Sequence, residues 1–225
     1  MIKKTNWSVR PISYNDTKEW ILNIHYAKRL PCITYSYGLY DNNSLEGIVT
    51  YGTPASPALC KGICGIEYKK SVLELSRLVL LNNKPNQASY LVGNSIKLLP
   101  KPSIIVSYAD SSMNHHGYVY QATNFLYTGL SDKHKEWRMI GSNLHSLQVC
   151  KLYTTEERKA NPSKFIFQER PRKHRYITFT GNKKDRKQLL SKLKYKTESY
   201  PKGDNINYET GYIPTTQKTL FQCHV

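Results

Sequence analysis

The sequence predicts an α+β domain, a central mixed β-sheet flanked by helices, carrying a basic C-terminal extension. Three observations predict it. Strand-like and helix-like runs interleave along the first 150 residues, as they do where helices cover a sheet. Within the stretch 103–129, an apolar strand (Ile104, Ile105, Val106) ends in the polar cluster Ser107, Tyr108 and Asp110 just before a helical segment. Open α/β sheets keep their chemistry at such strand ends. Finally, positive charge gathers late in the chain: residues 151–202 hold 16 Lys or Arg against 5 Asp or Glu, about +11 of a total of +17.

Taken in order, residues 7–13 alternate as an opening strand. Asn15 or Asp16 can cap a helix from about residue 17, with Glu19 early in its first turn. Trp20, Ile21, Ile24 and Ala27 form its apolar face and Pro31 stops it. His25, Tyr26, Lys28 and Arg29 fall near its end, either as a basic turn that complements the helix dipole or as functional groups. Residues 33–40 and 45–51 form a hairpin across Asp41-Asn42-Asn43. The loop 52–65 contains Cys60 and Cys64, whose C-x3-C spacing is wrong for structural zinc. Two thiols there would suit a redox or iron locus without requiring one.

Residues 72–80, VLELSRLVL, read as a central strand. Fully buried strands are usually uninterrupted, so Glu74, Ser76 and Arg77 are expected to emerge towards a cleft. A turn at 82–86 precedes a helix over 87–98, in which Leu91, Val92, Ile96 and Leu99 recur at helical spacing. The start of that helix can receive a phosphate. The strand at 104–106 is followed by a helix over about 115–122 and a strand over 124–127. Beyond Gly129 come a strand at 136–140, a weak helix at 143–150, and short strands at 165–167 and 176–179 flanking the basic run ERPRKHR. A helix over 183–193 turns Leu189, Leu190 and Leu193 to one side and a basic stripe to the other. The expected division is a catalytic core over 1–150, a basic DNA-binding extension packed on it over 151–202, and a C-terminal arm over 203–225, poorly ordered or lying on the surface.

The charge balance points to a polyanionic partner, since a net charge near +17 repels itself in a compact chain. Arg170, Arg172, Lys173, Arg175, Lys183, Lys184, Arg186 and Lys187 are the expected phosphate contacts. Tyr176, Phe179, Tyr195 and Tyr200 lie among them as base-stacking or core residues. Five cysteines without framework spacing favour a reducing compartment. No leader-like or membrane-spanning apolar run is present in the sequence.

The element order is that of the N-acetyltransferase-like (GNAT) fold. The segments HYAKRLP (25–31), YGTPASPALCKGICG (51–65), LELSRLVLLNN (73–83) and SYADSSMNHHGYVYQATNFLYTG (107–129) strongly resemble the phage Mom family of DNA-modification proteins. The resemblance extends from about Trp7 to Pro201. It implies a GNAT-related, phage-encoded transferase working in the host cytoplasm. Its reaction would convert adenine in double-stranded DNA to N6-carbamoylmethyladenine, which shields the genome from restriction. It also implies an active site at His25, Arg77, Ser107, Asp110 and Tyr120, and a place for iron.

Around those positions, Tyr108, Glu74, Ser76, Gln121, Asn124, Tyr26 and Lys28 are expected to contact substrate. Asp110 is the first choice to accept a proton from N6 or to anchor the adenine edge. The nitrogen and oxygen ligands in reach of iron are His25, Glu74, Asp110, His115 and His116, without diagnostic spacing. Where acetyltransferases carry a Gln/Arg-x-x-Gly-x-Gly/Ala loop, this chain reads NNKPNQASYLVG, which argues against coenzyme A. Glycyl-tRNA is the alternative donor, since a strongly basic surface can hold tRNA as well as DNA. Two other readings stay open: an ordinary acyltransferase acting on a small molecule or protein, and a DNA-binding module without catalysis.

Overall fold

A computed structural model describes residues 6–142 and 144–203. Nine strands and seven α-helices are found among them. The first strand, β1 (Trp7–Pro11), pairs antiparallel with β2 (Tyr35–Asp41), and β2 with β3 (Ser44–Gly52). Asn42 and Asn43 between β2 and β3 both take positive φ, the conformation that a two-residue hairpin turn requires. Next to β3 lies β4 (Val72–Leu80), antiparallel, and β5 (Ile104–Asp110) joins β4 in parallel. The crossover between them is α3 (Gln87–Leu98), so the predicted strand–helix–strand unit holds with its helix boundaries intact.

The complete order is β1-β2-β3-β4-β5-β9-β6, where β6 is Leu126–Leu130 and β9 is Lys173–Phe179. This corrects the expected division at residue 150. Strand β9 sits inside the sheet, with β5 on one side and β6 on the other. The core therefore reaches past residue 179, and what was read as an appended extension supplies a central strand. Five residues of the run ERPRKHR lie within β9 and the preceding turn, and Arg175 is buried with Ile177 on the same pleat.

Apolar clusters lie on both sheet faces. Leu73, Leu75 and Ile105 pack under Leu91 and Val92 of α3 and Tyr120 of α4 (Tyr118–Ala122). On the opposite face Val72, Ile104, Val106 and Ile177 meet Cys60 and Ile63 of the α2 region (Pro57–Gly62) and Leu189 of α7 (Lys183–Lys192). The loop expected over 52–65 thus contains a helix. The first helix also differs: α1 (Tyr14–Glu19) starts earlier, capped by Ser13 in a reciprocal box with Asp16, and continues as a π-helical turn, Trp20–Ile24. Trp20, Ile21 and Ile24 are buried as expected, while Ala27 lies exposed beyond the helix end.

Residues 131–172 leave the sheet after β6 and return at β9. They contain β7 (His134–Met139), α5 (Ser146–Leu152), α6 (Thr155–Ala160) and β8 (Phe165–Arg170). Strands β7 and β8 form a separate two-stranded ribbon. Sequence periodicity did not reveal α6, a six-residue helix closed by a Thr154–Glu157 capping box. Of the expected C-terminal arm, 204–225 lies outside the described residues; Gly203 bonds Tyr118.

Candidate active site

The parallel ladder between β4 and β5 ends at Leu75↔Ser107, and beyond it the two strands part. Ser107 Oγ, fully buried, donates to the Leu75 carbonyl at 3.0 Å, at the point of separation. A register shift against β3 falls here too: Thr50 pairs with Arg77 and Tyr51 with Leu75, leaving Ser76 as the extra residue of a bulge. The bulge reverses the side-chain alternation. Leu73 and Leu75 before it, and Leu78 and Leu80 after it, serve one apolar cluster. Glu74 and Arg77, three apart, consequently share the other face. Simple alternation of nine residues would have separated them.

A cavity of about 690 Å³ opens at this splay, within the range of small-molecule sites. Its walls come from His25 and Tyr26, from Ser76 and Arg77 of β4, from Tyr108 of β5, from His115, from Tyr118 and Tyr120 of α4, and from residues 83–86, Ala88 and Ser89 at the start of α3. Gly117, with φ +78, carries the chain into α4, and a Cβ there would strike the buried Tyr176 ring. Tyr176 in turn donates its hydroxyl to the His116 carbonyl, fixing the entry to α4.

His25 follows the π turn in extended conformation and stacks on Tyr26 at 4.4 Å. Its Nδ1 accepts from the Ala27 N–H at 3.0 Å. Burial, with Arg77 and His115 nearby, lowers its pKa to about 3. The ring is therefore neutral at physiological pH, and because Nδ1 is an acceptor, the proton sits on Nε2. His25 is a hydrogen-bond donor here and not a base. Arg77 holds the same segment in place: its Nη1 donates to the Ser76 carbonyl at 2.6 Å and its Nη2 to the Arg29 carbonyl at 2.9 Å.

Asp110 ends β5 and caps the short turn Ser111–Met113. Burial would raise its pKa, but bonds from the Ser112 side chain (2.6 Å) and Lys173 (2.9 Å) outweigh that and leave it below the usual carboxylate range. It is thus an ionised acceptor. Glu74 responds the other way: burial pushes its carboxyl up, opposed by Arg77, Lys173 and Arg170. Tyr120 is pushed up to about 12 by burial despite a hydrogen bond with Ser107, and burial also raises Tyr108. Both phenols stay protonated.

The structure gathers His25, Arg77, Ser107, Asp110 and Tyr120 at or beside the cavity, with Tyr26, Glu74, Ser76 and Tyr108. Other expectations are corrected. Gln121 donates to the His116 and Pro201 carbonyls and to the Tyr176 hydroxyl, facing the C-terminal segment. Asn124 turns the chain at positive φ and lines a separate hollow beside Trp7 and Tyr90. Lys28 is exposed in a turn and does not line the cavity. The histidine pair divides: His115 lines the cavity 6.0 Å from Tyr26, while His116 lies against His174 and Tyr118.

The iron candidates do not fit a metal centre. His25, Asp110, His115 and His116 do not form a metal-holding group among the described residues. His25 accepts at Nδ1 and carries its proton on Nε2, which leaves its ring no free lone pair for a metal. Nor do Cys60 and Cys64 make a thiolate locus. Both are buried in the apolar cluster under α7, and burial raises both thiols, Cys64 to about 11.

The expected phosphate contacts separate into two groups. Arg175 is buried, bonded to Thr128 and lying 3.6 Å from the Tyr195 ring centroid. Arg172 donates to the Ser131 and Leu130 carbonyls. Lys173 belongs to the site through Asp110. Tyr176 is a core residue. Arg170 and the α7 residues Lys183, Lys184, Arg186 and Lys187 are exposed. Sequence reasoning placed Lys173 among the phosphate contacts and not beside Asp110; only its register opposite Asp110 reveals that pairing.

Solved structures of low identity align with most of the chain. A GNAT-family acetyltransferase from Bacillus cereus ATCC 10987 is 14% identical, with a TM-score of 0.42 over 78% of this chain and 99% of that one. Arabidopsis thaliana NAA60, solved in complex with acetyl-CoA, is 14% identical, with a TM-score of 0.45 over 79% and 100% of the respective chains. A curated relative, the methylcarbamoylase Mom of Escherichia phage Mu, is 27% identical over 188 residues, covering 79% of this chain and 76% of its own. The profile of the Mom protein family matches residues 6–202. By that match, which spans nearly the whole described chain, the protein belongs to the Mom family.

Proposed function

We propose that this protein is a transferase that converts adenine in double-stranded DNA to N6-carbamoylmethyladenine, protecting phage DNA from host restriction. The observation that carries the reading is the cavity at the β4–β5 splay, walled by Tyr26, Arg77, Tyr108 and Tyr120, in a chain related to a methylcarbamoylase. The exocyclic amine of adenine is paired and stacked in a duplex and must be taken out, at a cost of about a few kcal/mol. The tyrosines supply flat walls for an extruded base. Ionised Asp110 accepts a hydrogen bond from the amino group. The neutral donors His25 Nε2–H and Tyr120 O–H polarise a carbonyl oxygen of the donor, as oxyanion-stabilising groups do.

Glycyl-tRNA as donor gives a balanced route without a redox step. The N6 amine attacks the glycyl ester, releasing the ribose hydroxyl and forming N6-glycyladenine. The glycyl amine then adds to C6, closing a five-membered ring. Cleavage of the original C6–N6 bond leaves that nitrogen as the terminal amide, one proton passing from the attacking amine to it. The start of α3, which lines the cavity and has no side-chain cap, is the place for the donor's phosphates.

The test is to digest plasmid DNA co-expressed with the protein to nucleosides and weigh them. A deoxyadenosine heavier by one carbamoylmethyl unit supports the reading; unmodified deoxyadenosine with active, folded protein overturns it. Isotopically labelled glycyl-tRNA supplied to purified protein and DNA tests the donor, and an unlabelled product excludes it.

A further inference from the structure

The insertion 131–172 begins and ends at the active-site end of the sheet. It returns through Lys173, which lies opposite Asp110, whereas α7 follows the other end of β9, where Phe179 lies opposite Ile104. Six residue steps along β5, from Ile104 to Asp110, separate those ends, roughly 20 Å at about 3.3 Å per residue. The basic face of α7 is therefore remote from the cavity, and the ribbon is beside it. Arg170 opposes the burial that raises the Glu74 carboxyl. His145, which caps α5, has its pKa lowered by burial and by Arg29, whose carbonyl accepts from Arg77, with Glu136, Arg138 and Arg170 of the ribbon also acting on it.

The insertion's surface is unusual. Of twelve exposed large hydrophobic side chains among the described residues, five (Ile140, Leu147, Leu152, Ile166 and Phe167) belong to it, although it spans only about a fifth of the chain. Phe167 is 51% and Ile166 46% exposed. They are neighbours on β8 and so project from opposite faces of the ribbon. Phe167 pairs across the ribbon with Trp137, ring centroids 5.0 Å apart, and Arg158 backs Trp137 at 5.3 Å. The phenyl ring is thus both exposed and braced. The insertion as a whole carries 9 Lys or Arg against 5 Asp or Glu.

We infer that the β7–β8 ribbon is the duplex-docking element and that Phe167 is a wedge that enters a base step beside the target adenine. The inference rests on the proposed adenine chemistry and adds how the base leaves the stack. A two-stranded ribbon fits a DNA groove, and apolar wedges flanked by cations unstack base steps while phosphates hold the protein in register. Arg170, exposed at the ribbon's cavity end and 4.0 Å from Glu136, projects from the face of Ile166 and takes a phosphate on that side of the ribbon. A braced aromatic ring on a net-positive insertion complements a polyanion with stacked bases.

The test uses the full chain and a duplex containing 2-aminopurine next to the target adenine. Wild-type protein should raise the 2-aminopurine fluorescence on binding. Phe167→Ser should abolish that rise and weaken duplex binding about tenfold, the order expected of one stacked side chain. Both should recover towards wild type on a duplex whose adenine faces an abasic site, where unstacking is already done; a merely misfolded variant would not recover. Wild-type modification of adenine together with normal fluorescence and binding by Phe167→Ser and Ile166→Ser overturns the ribbon assignment alone. A concentration-dependent dimer lost in Phe167→Ser, with DNA responses unchanged, assigns the face to a second copy and also overturns it. A wild-type protein that neither binds duplex nor modifies adenine overturns this inference and the functional reading together.

Discussion

Lys173 Nζ stands 2.9 Å from Asp110 Oδ2, placed there by the antiparallel register of β9 on β5. The ammonium keeps the carboxylate ionised and aimed, so Lys173 is a positioning residue for the proposed adenine contact. Asp110→Asn should lower modification at least ~100-fold, the scale of losing a group that works at the reacting atoms. Lys173→Met leaves the carboxyl but removes its partner, so its depressed pKa returns upward. Activity that depends on ionised Asp110 is lost as pH falls through its pKa. The acid limb of the pH–activity profile should therefore move to higher pH in Lys173→Met, and an unmoved limb would show that the pair does not set the carboxylate's state.

His25 links folding to pH. The unfolded imidazole protonates near 6.5, and the folded one only near 3. Stability tied to its neutral form is fully present above 6.5. It is lost as pH falls from 6.5 towards 3, at up to ~1.4 kcal/mol per pH unit. His25→Asn can keep the turn, since an Asn oxygen also accepts a backbone N–H two residues on, but it cannot titrate. Urea midpoints measured at about pH 7.5 and about pH 5 should separate widely in wild type and converge in the variant. Equal separation in both proteins would mean that another group carries the dependence.

Arg77 is expected to act through geometry as well as charge. Its two guanidinium nitrogens reach the Ser76 and Arg29 carbonyls, tying the cavity-lining segment to the β4 bulge. Lysine keeps the charge but cannot span both acceptors. Arg77→Lys should cost about 1–2 kcal/mol of stability, and modification should fall further than that loss alone explains. Denaturant unfolding and nucleoside analysis on the same preparation measure the two effects. Full activity in Arg77→Lys would reduce the residue's role to charge.

These contacts mark what was legible in the sequence. Strand β4, helix α3 and the Asn42-Asn43 turn were read correctly because apolar spacing and turn chemistry act locally. Most of the proposed site was legible too, since strand ends and interruptions advertise polar residues that need a reason to be there. The Ser76 bulge was not, because an unpaired residue depends on the neighbouring strand. Strand β9 was legible only over 176–179; its first half and its place inside the sheet were hidden behind the charge. Nothing in ERPRKHR says that Arg175 sets its guanidinium against Tyr195 and Thr128, or that Lys173 meets a carboxylate from a strand some sixty residues earlier.

The cysteines test whether soft-ligand or redox chemistry belongs to this fold. Cys64 is 1% exposed, with Sγ 3.6 Å from the Leu189 carbonyl, and its thiol is pushed up to about 11 by burial and by Glu67. Little thiolate exists at neutral pH, and reagents cannot reach it without an opening of the α2–α7 contact. A neutral alkylating reagent should label exposed Cys32 and Cys150 in native protein and reach Cys60 and Cys64 only in denaturant, as peptide masses would record. Cys64→Ala should cost about 1 kcal/mol for the small cavity it leaves and retain modification activity. Rapid native labelling of Cys64, or a folded Cys60→Ala/Cys64→Ala protein without activity, would return these thiols to the chemistry. Otherwise their place is the apolar seam that anchors α7 to the sheet.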